Sequence, residues 1–220
     1  MLATAGAMLA VAAPTAGAAT ETVTNGPVTA TFRYTKTDEL TFEDLHLKIV
    51  RAGVVGLDVP IASRACELGC RPGAELFEDG RSIKATDLDG DGSPEFRSAD
   101  GRFAYALSSY AGSGVPVQIW RFQHGDLEDV TSEFPALIRA DSRHWWKVYR
   151  ANIRKRPPLN DAGLGALAAW AGDEYRLGRA VKVQRELKLG LRRGWLDGYF
   201  GSGRRAVRDL NRLLRQTGYR

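Results

Sequence analysis

Residues 87–95 read Asp-Leu-Asp-Gly-Asp-Gly-Ser-Pro-Glu, the densest concentration of metal-ligand chemistry in the chain. Asp87, Asp89 and Asp91 alternate, a glycine follows, and Glu95 closes the run. Carboxylates crowded this closely repel unless something neutralises them. In a tight loop they form an oxygen cage, and Ca²⁺ takes six to eight oxygens in a tolerant geometry. The spacing assigns Asp87, Asp89 and Asp91 to loop positions one, three and five. Gly92 supplies the sharp turn, Ser93 a backbone carbonyl, and Glu95 the ligand at position nine.

The EF-hand template fails further along. It needs a bidentate glutamate at position twelve, where this chain has Ser98, and position eight is Pro94. Its flanks are helices, whereas Ser82–Thr86 and Phe96–Ser98 read as strands. The pattern is that of a calcium loop between strands. The plain alternative is a metal-free turn rich in Asp and Gly, both ordinary turn residues.

Other reactive residues are sparse. Cys66 and Cys70 are the chain's two cysteines. Outside the cytoplasm a pair this close reads as a local disulfide closing a small loop. No His lies near enough to complete a zinc site, and a redox pair has Cys-x-x-Cys spacing. There is no Gly-x-Ser-x-Gly elbow and no His-Glu-x-x-His. His46 falls on a strand, His124 at a hairpin turn and His144 on a helix beside Trp145, so spacing alone assembles no catalytic set. Catalysis has little support; the alternative is a hydrolase with a cleft between sheet and helices.

The elements that must position the loop change character midway. Up to about residue 135 the apolar period is 2. Val28–Tyr34, Leu45–Arg51, Leu57–Ile61, Arg102–Leu107, Val115–Phe122 and Leu127–Thr131 read as strands, with Leu45, Leu47 and Ile49 inward and His46 and Lys48 outward. Leu76-Phe77 and Ser82–Thr86 are shorter candidates. From Pro135 the period becomes 3.6. A helix runs to about Arg154, stopped by Pro157-Pro158. A second, capped by Asn160 or Asp161, runs to Leu177. A third spans about Ala180–Arg193 and a fourth Arg204–Gln216, ended by Gly218.

Charge divides the same way. Residues 139–220 hold 20 of the 31 Lys and Arg but 7 of the 26 Asp and Glu, a surplus of 13 positive charges; the remainder has a surplus of 8 negative. Three readings of the basic helices stay open: solvated amphipathic faces, a surface for an anionic polymer or lipid, and internal pairing with the acidic β half. A cell-surface polymer is the favoured form of the second, and nucleic acid is disfavoured. Residues 1–18 are Ala-rich and uncharged, and Ala16-Gly17-Ala18 has the small-x-small form of a signal-peptidase site, although a basic start is missing. No later apolar stretch is long enough for a membrane-spanning helix. These observations predict a leader over 1–18, a β region over 19–135, a basic helical region over 136–220, and a secreted or extracytoplasmic location.

One resemblance has residues behind it. Asp87–Phe96, then Arg102-Phe103-Ala104-Tyr105, then Ile119-Trp120-Arg121-Phe122 with Gly125 and Asp129-Val130-Thr131, is similar to one FG-GAP/VCBS-type repeat. Such repeats form four-stranded propeller blades with calcium in an interstrand loop. A propeller needs at least four blades, and no fixed-period self-similarity exists here. The run Leu167–Arg179, with Gly218-Tyr219, looks like the helical tail of uncharacterised secreted bacterial proteins that carry the same segment. The resemblance implies one blade-like sheet holding a structural Ca²⁺, in a non-catalytic binding or scaffold module. The expected fold class is α+β: an antiparallel, blade-like N-terminal half followed by about four helices.

Overall fold

The computed structural model describes residues 17–36, 42–60, 85–155, 157–199 and 202–220. Cys66 and Cys70, the Leu76-Phe77 strand candidate and leader residues 1–16 lie outside them. The fold is α+β, with strands in the N-terminal half and four helices after them. The strands divide into two sheets. β1 (Gly17–Asn25), β2 (Val28–Lys36), β3 (Phe42–Arg51) and β4 (Val54–Pro60) form one antiparallel meander. β5 (Ala85–Thr86), β6 (Glu95–Ala99), β7 (Val117–Gln123) and β8 (Asp126–Asp129) form the second. β1 thus starts two residues inside the span read as leader.

Local chemistry sets the register. The β3–β4 turn places Ala52 and Gly53 at φ 49° and 82°, and the β7–β8 turn places His124 and Gly125 at 52° and 82°. Two successive positive φ values fit the two-residue turn whose twist matches a right-twisted hairpin. Period-2 alternation then puts Leu47 and Ile49 fully inside, with His46 and Lys48 half-buried on the other face.

The second sheet is the middle layer. Phe96, Trp120, Phe122 and Leu127 pack against Val28, Phe32, Leu47, Ile49 and Leu57 of the first sheet. On the opposite face, Val117 and Ile119 pack with Val130, Phe134 and Ile138 at the entry of the first helix. Strand β7 is therefore buried on both faces from Val117 to Phe122, and each large apolar side chain removed from water there contributes about 1.5–3 kcal/mol.

α1 (Pro135–Lys155) starts with proline at its first position, where no N–H is needed. α2 (Asp161–Arg176) begins at Asn160, whose side chain accepts from Gly163 N. It is buried almost end to end, from Gly163 to Glu174. α3 (Ala180–Arg192) and α4 (Gly203–Gln216) complete the helical core, and after Gly218 the chain returns Tyr219 to the interior. The tryptophans interleaved with arginines face this core. Trp146 packs on Tyr149 and Trp170, with Arg150 and Lys182 over the rings.

One strand expectation is corrected. Arg102–Leu107 is not a strand but a short 3-10 turn, Gly101–Phe103, leading into irregular chain. The buried Asp100 carboxylate takes the Arg102 backbone N–H at 3.1 Å and its guanidinium at 2.7 and 2.6 Å, curling the backbone. Phe103 and Leu107 then point into the helical core. Downstream, the chain around Gly112 and Gly114 presses on the backbone of Gly165 in α2, an approach that leaves no room for a Cβ. Gly165→Ala places a methyl against the Gly112 carbonyl. It should destabilise the protein by about 2–4 kcal/mol in urea unfolding, against a few tenths for an exposed helix substitution.

Candidate metal centre

The loop from Asp87 to Pro94 joins β5 to β6 and is folded around its own carboxylates. Asp87 Oδ1 accepts from Gly90 N at 2.7 Å, and its Oδ2 from Gly92 N at 3.0 Å. Asp89 Oδ1 accepts from Asp91 N at 3.1 Å, and Asp91 Oδ1 from Ser93 N at 2.6 Å. These are side-chain turns of the kind Asp favours. Gly90 and Gly92, at φ 81° and 83°, supply the left-handed steps that let the chain double back. The first sheet braces the loop: Arg51 Nη2 reaches Ser93 Oγ at 3.2 Å, and Asn25 Nδ2 donates to Ala85 O at 3.1 Å.

Of the four carboxylates assigned to the cage, three converge. Asp87, Asp89 and Glu95 each offer an oxygen within 4.8 Å of the others, with Glu95 buried, Asp87 half-buried and Asp89 exposed. Asp91 lies outside this group; Arg51 engages the Ser93 hydroxyl and not the carbonyl assigned to the cage. The donor set is hard carboxylate oxygen, which suits Ca²⁺ or Mg²⁺ and not a soft metal.

Strand β7 also supplies a cation that the spacing could not show. Arg121 stands directly across from Glu95 in the β6–β7 register. Its Nε donates to Glu95 at 2.6 Å, Nη2 to Asp89 at 2.5 Å, and Nη1 to Glu133 at 2.8 Å. The Glu95 side chain is 0% exposed, and its second oxygen accepts from Leu88 N at 2.8 Å. Burial pulls the Arg121 proton affinity down, but the hydrogen bonds to Glu95 and Glu133 outweigh it and raise the pKa. Metal was expected to carry the whole neutralisation; Arg121 carries part of it. Among the described residues, the guanidiniums of Arg121, which is shared with Glu133, and of Arg51 stand against four loop acids, so a negative surplus remains.

The other sequence candidates stand apart from the loop. His46 lies 3.2 Å from Asp58, exposed His124 is 2.9 Å from Glu128, and His144 packs edge-on against Trp145. The basic helices divide between two of the readings left open. Arg176 reaches Val117 O and Asp129 of the second sheet, while Arg139, Arg143, Lys147, Arg185 and Lys188 are exposed. A cavity of about 380 Å³ does lie between sheet and helices, bordered by Arg102, Gln118, Asp129, Arg176 and Tyr219.

Sequence reading missed an acid pair between α1 and α2, one member of it buried. Asp173 of α2 is fully buried near Asp141 of α1. With both ionised, neither Asp173 oxygen finds a donor. Burial, then the Asp141 charge and a hydrogen bond to Asp141, push its pKa up to about 10, with Glu174 adding and Arg176 opposing. Asp173 therefore stays protonated at neutral pH and donates to Asp141, which also accepts from Val117 N and Trp145 Nε1. Neighbouring Glu174, also buried, takes the Ser142 hydroxyl at 2.5 Å and lies 3.1 Å from Lys182 Nζ. The only sequence-level signal was two acids on otherwise apolar helix faces.

No family model matches the chain, and no solved structure matches it significantly. Over 104 residues it is 47% identical to a protein of Synechocystis sp. named a probable thylakoid lumen protein. That match takes in 46% of this chain but spans only 30% of the relative's length. No described helix is long and apolar enough to cross a membrane.

Two outcomes follow from these charges. Arg121→Ala should cost about 3–5 kcal/mol in denaturant unfolding, because it strands buried Glu95, whereas Glu133→Gln, on the exposed arm, should cost at most about 1 kcal/mol. Asp173 has a folded pKa raised above its unfolded value of 3.8. Its stabilising contribution is fully present below that value and is lost as pH rises towards 10. Asp173→Asn should thus raise stability at pH 8 by about 1–3 kcal/mol and flatten the decline in melting temperature between about pH 5 and 9.

Proposed function

We propose that this chain is an extracytoplasmic, non-catalytic binding or scaffold module whose second sheet is an FG-GAP/VCBS-like unit stabilised by one Ca²⁺. The observation that carries the reading is the convergence of Asp87, Asp89 and Glu95 oxygens within 4.8 Å at the β5–β6 loop of a four-stranded meander. Those three would hold the ion, with the Asp91 carboxylate and the Ser93 carbonyl the further oxygens the loop offers. The ion supplies charge neutralisation and cross-linking of the loop to β6. Its effect is thermodynamic: a ligand that binds only the folded state stabilises it by mass action.

Location is supported by the name of the Synechocystis relative, since the thylakoid lumen is an extracytoplasmic compartment. The Ala-rich residues 1–18 point the same way, and in such a compartment Cys66 and Cys70 would form a disulfide. The exposed basic groups of α1 and α3 support an anionic cell-surface polymer as partner. Such binding is dominated by screened charge and weakens steeply with salt.

Calcium should raise the melting temperature by about 5–10 °C over the protein in EDTA. Asp87→Asn removes a carboxylate that Arg121 does not touch, so it should abolish that difference; it also removes one of the two acceptors for Gly90 N and Gly92 N, so the EDTA baseline should fall by about 1 kcal/mol. Wild-type melting that ignores EDTA would overturn the calcium assignment.

A further inference from the structure

The basic surplus of the helical region is concentrated at its end. Residues 177–220 contain twelve Lys and Arg and three acids, and all twelve basic residues are exposed. Each acid is already engaged. Glu186 accepts from the Tyr149 hydroxyl at 2.9 Å, and Asp197 from Gly203 N at 3.0 Å. Asp209 lies among the guanidiniums of Arg205, Arg208 and Arg212, at 3.6, 3.3 and 3.5 Å. One carboxylate cannot neutralise three such charges. These separations are also longer than the roughly 2.7–2.9 Å of a well-made charge-assisted bond.

Helix α4 lays the surplus out in a row. Arg204, Arg208 and Arg212 recur every fourth residue and Arg215 follows after three, so they share one helix face. Along the axis their steps are about 6, 6 and 4.5 Å. The other side of the helix is held: Ala206, Leu210 and Leu214 are buried in the helical core. Ser202 caps the first turn by accepting from Arg205 N. Gln184 Nε2 donates to Asn211 Oδ1 at 3.3 Å, which ties α4 to α3. Lys188, one turn beyond Gln184, carries the positive charge onto α3.

The face discriminates between anionic partners. Among the described residues of α4 no large hydrophobic side chain is exposed; Val207 and Leu213 pack against the helical core. A bilayer would meet charge there with nothing to insert. All five basic residues of α4 are arginine, whose planar fork pairs with two oxygens of one anionic group. The group already among them, that of Asp209, is a carboxylate. A linear polyuronate presents one carboxylate on every sugar ring, and a ring is about as long as one helical turn. We propose that the α3–α4 face binds an acidic polysaccharide through its uronate carboxylates, with the arginine row of α4 meeting successive rings. This rests on the reading of the partner as an anionic cell-surface polymer, and it names the polymer's class and its site. The calcium loop plays no part in it.

The test is calorimetric titration of the full chain with a galacturonate decamer, in about 50 mM NaCl and without added divalent ions. Saturable binding with a Kd below about 0.1 mM is expected, weakening about tenfold or more at about 300 mM NaCl. The fully methyl-esterified decamer, with the same rings and no charge, should not bind. Arg208→Gln combined with Arg212→Gln should weaken binding about tenfold or more. Both belong to exposed ion pairs, so the melting temperature should stay within about 2 °C. Arg139→Gln combined with Arg143→Gln, on α1, should stay within about threefold. Equal binding of the methyl ester, or tighter binding of polyphosphate or of phosphatidylglycerol vesicles, would overturn the proposal. Binding lost in the α1 variant but unchanged in the α4 variant would overturn this site and leave a polymer on α1. No binding of galacturonate, polyphosphate or dextran sulfate would overturn both this proposal and the polymer reading.

Discussion

The arrangement depends on one guanidinium. Arg121 sits on the strand buried on both faces, and its three arms reach three separate stretches of chain: the acidic loop, strand β6 and the turn that launches α1. A buried ion pair rarely adds much net stability over an apolar replacement, because desolvation offsets its Coulomb gain. Its value lies in the asymmetry: removing one partner leaves the other charged in a dry site. Arg121 therefore fixes geometry. It holds Glu95 inward and turns Asp89 towards the same point, bringing their oxygens close to those of Asp87.

That constraint links the layers. The first sheet covers one face of the second through Phe32, Leu47, Ile49, Phe96 and Trp120, and it also touches the acidic loop through Arg51. On the other face, Ile119 meets Phe134 and Ile138, and the Arg121 guanidinium lies over the Phe134 ring. Arg176 and Tyr219 fasten the helical region to Asp129 and Asp100. The charge asymmetry between the halves is thus partly spent internally, and the exposed remainder on α1 and α3 is what an external anion would meet.

The readable parts of this fold were those where local chemistry decides. Pro135, Asn160 and Gly218 mark helix ends that the structure places within a residue or two of expectation, because capping and proline geometry act over one turn. Alternation in Leu47-Lys48-Ile49 fixed which face is buried. What escaped depends on contacts distant in sequence. Arg102–Leu107 has strand-forming residues, yet Asp100 and the helical core recruit them into a turn. The split into two sheets cannot be seen from any single strand. Arg121 looks like an ordinary strand arginine until Glu95 is found opposite it. The Asp141–Asp173 pair and the contact of Gly112 and Gly114 with Gly165 each join segments that only packing brings together. At the loop, residue types were legible, but the division of labour was not: the Asp87, Asp89 and Glu95 oxygens converge, while the Asp91 carboxylate accepts from Ser93 N.

Calcium binding depends on the negative surplus that Arg121 leaves at the loop. Equilibrium dialysis of metal-stripped protein against about 1 mM Ca²⁺, a level that fills extracellular-type sites, followed by elemental analysis, tests it most directly. One calcium bound per chain is the predicted result. Protein that retains no calcium above the dialysate would contradict it.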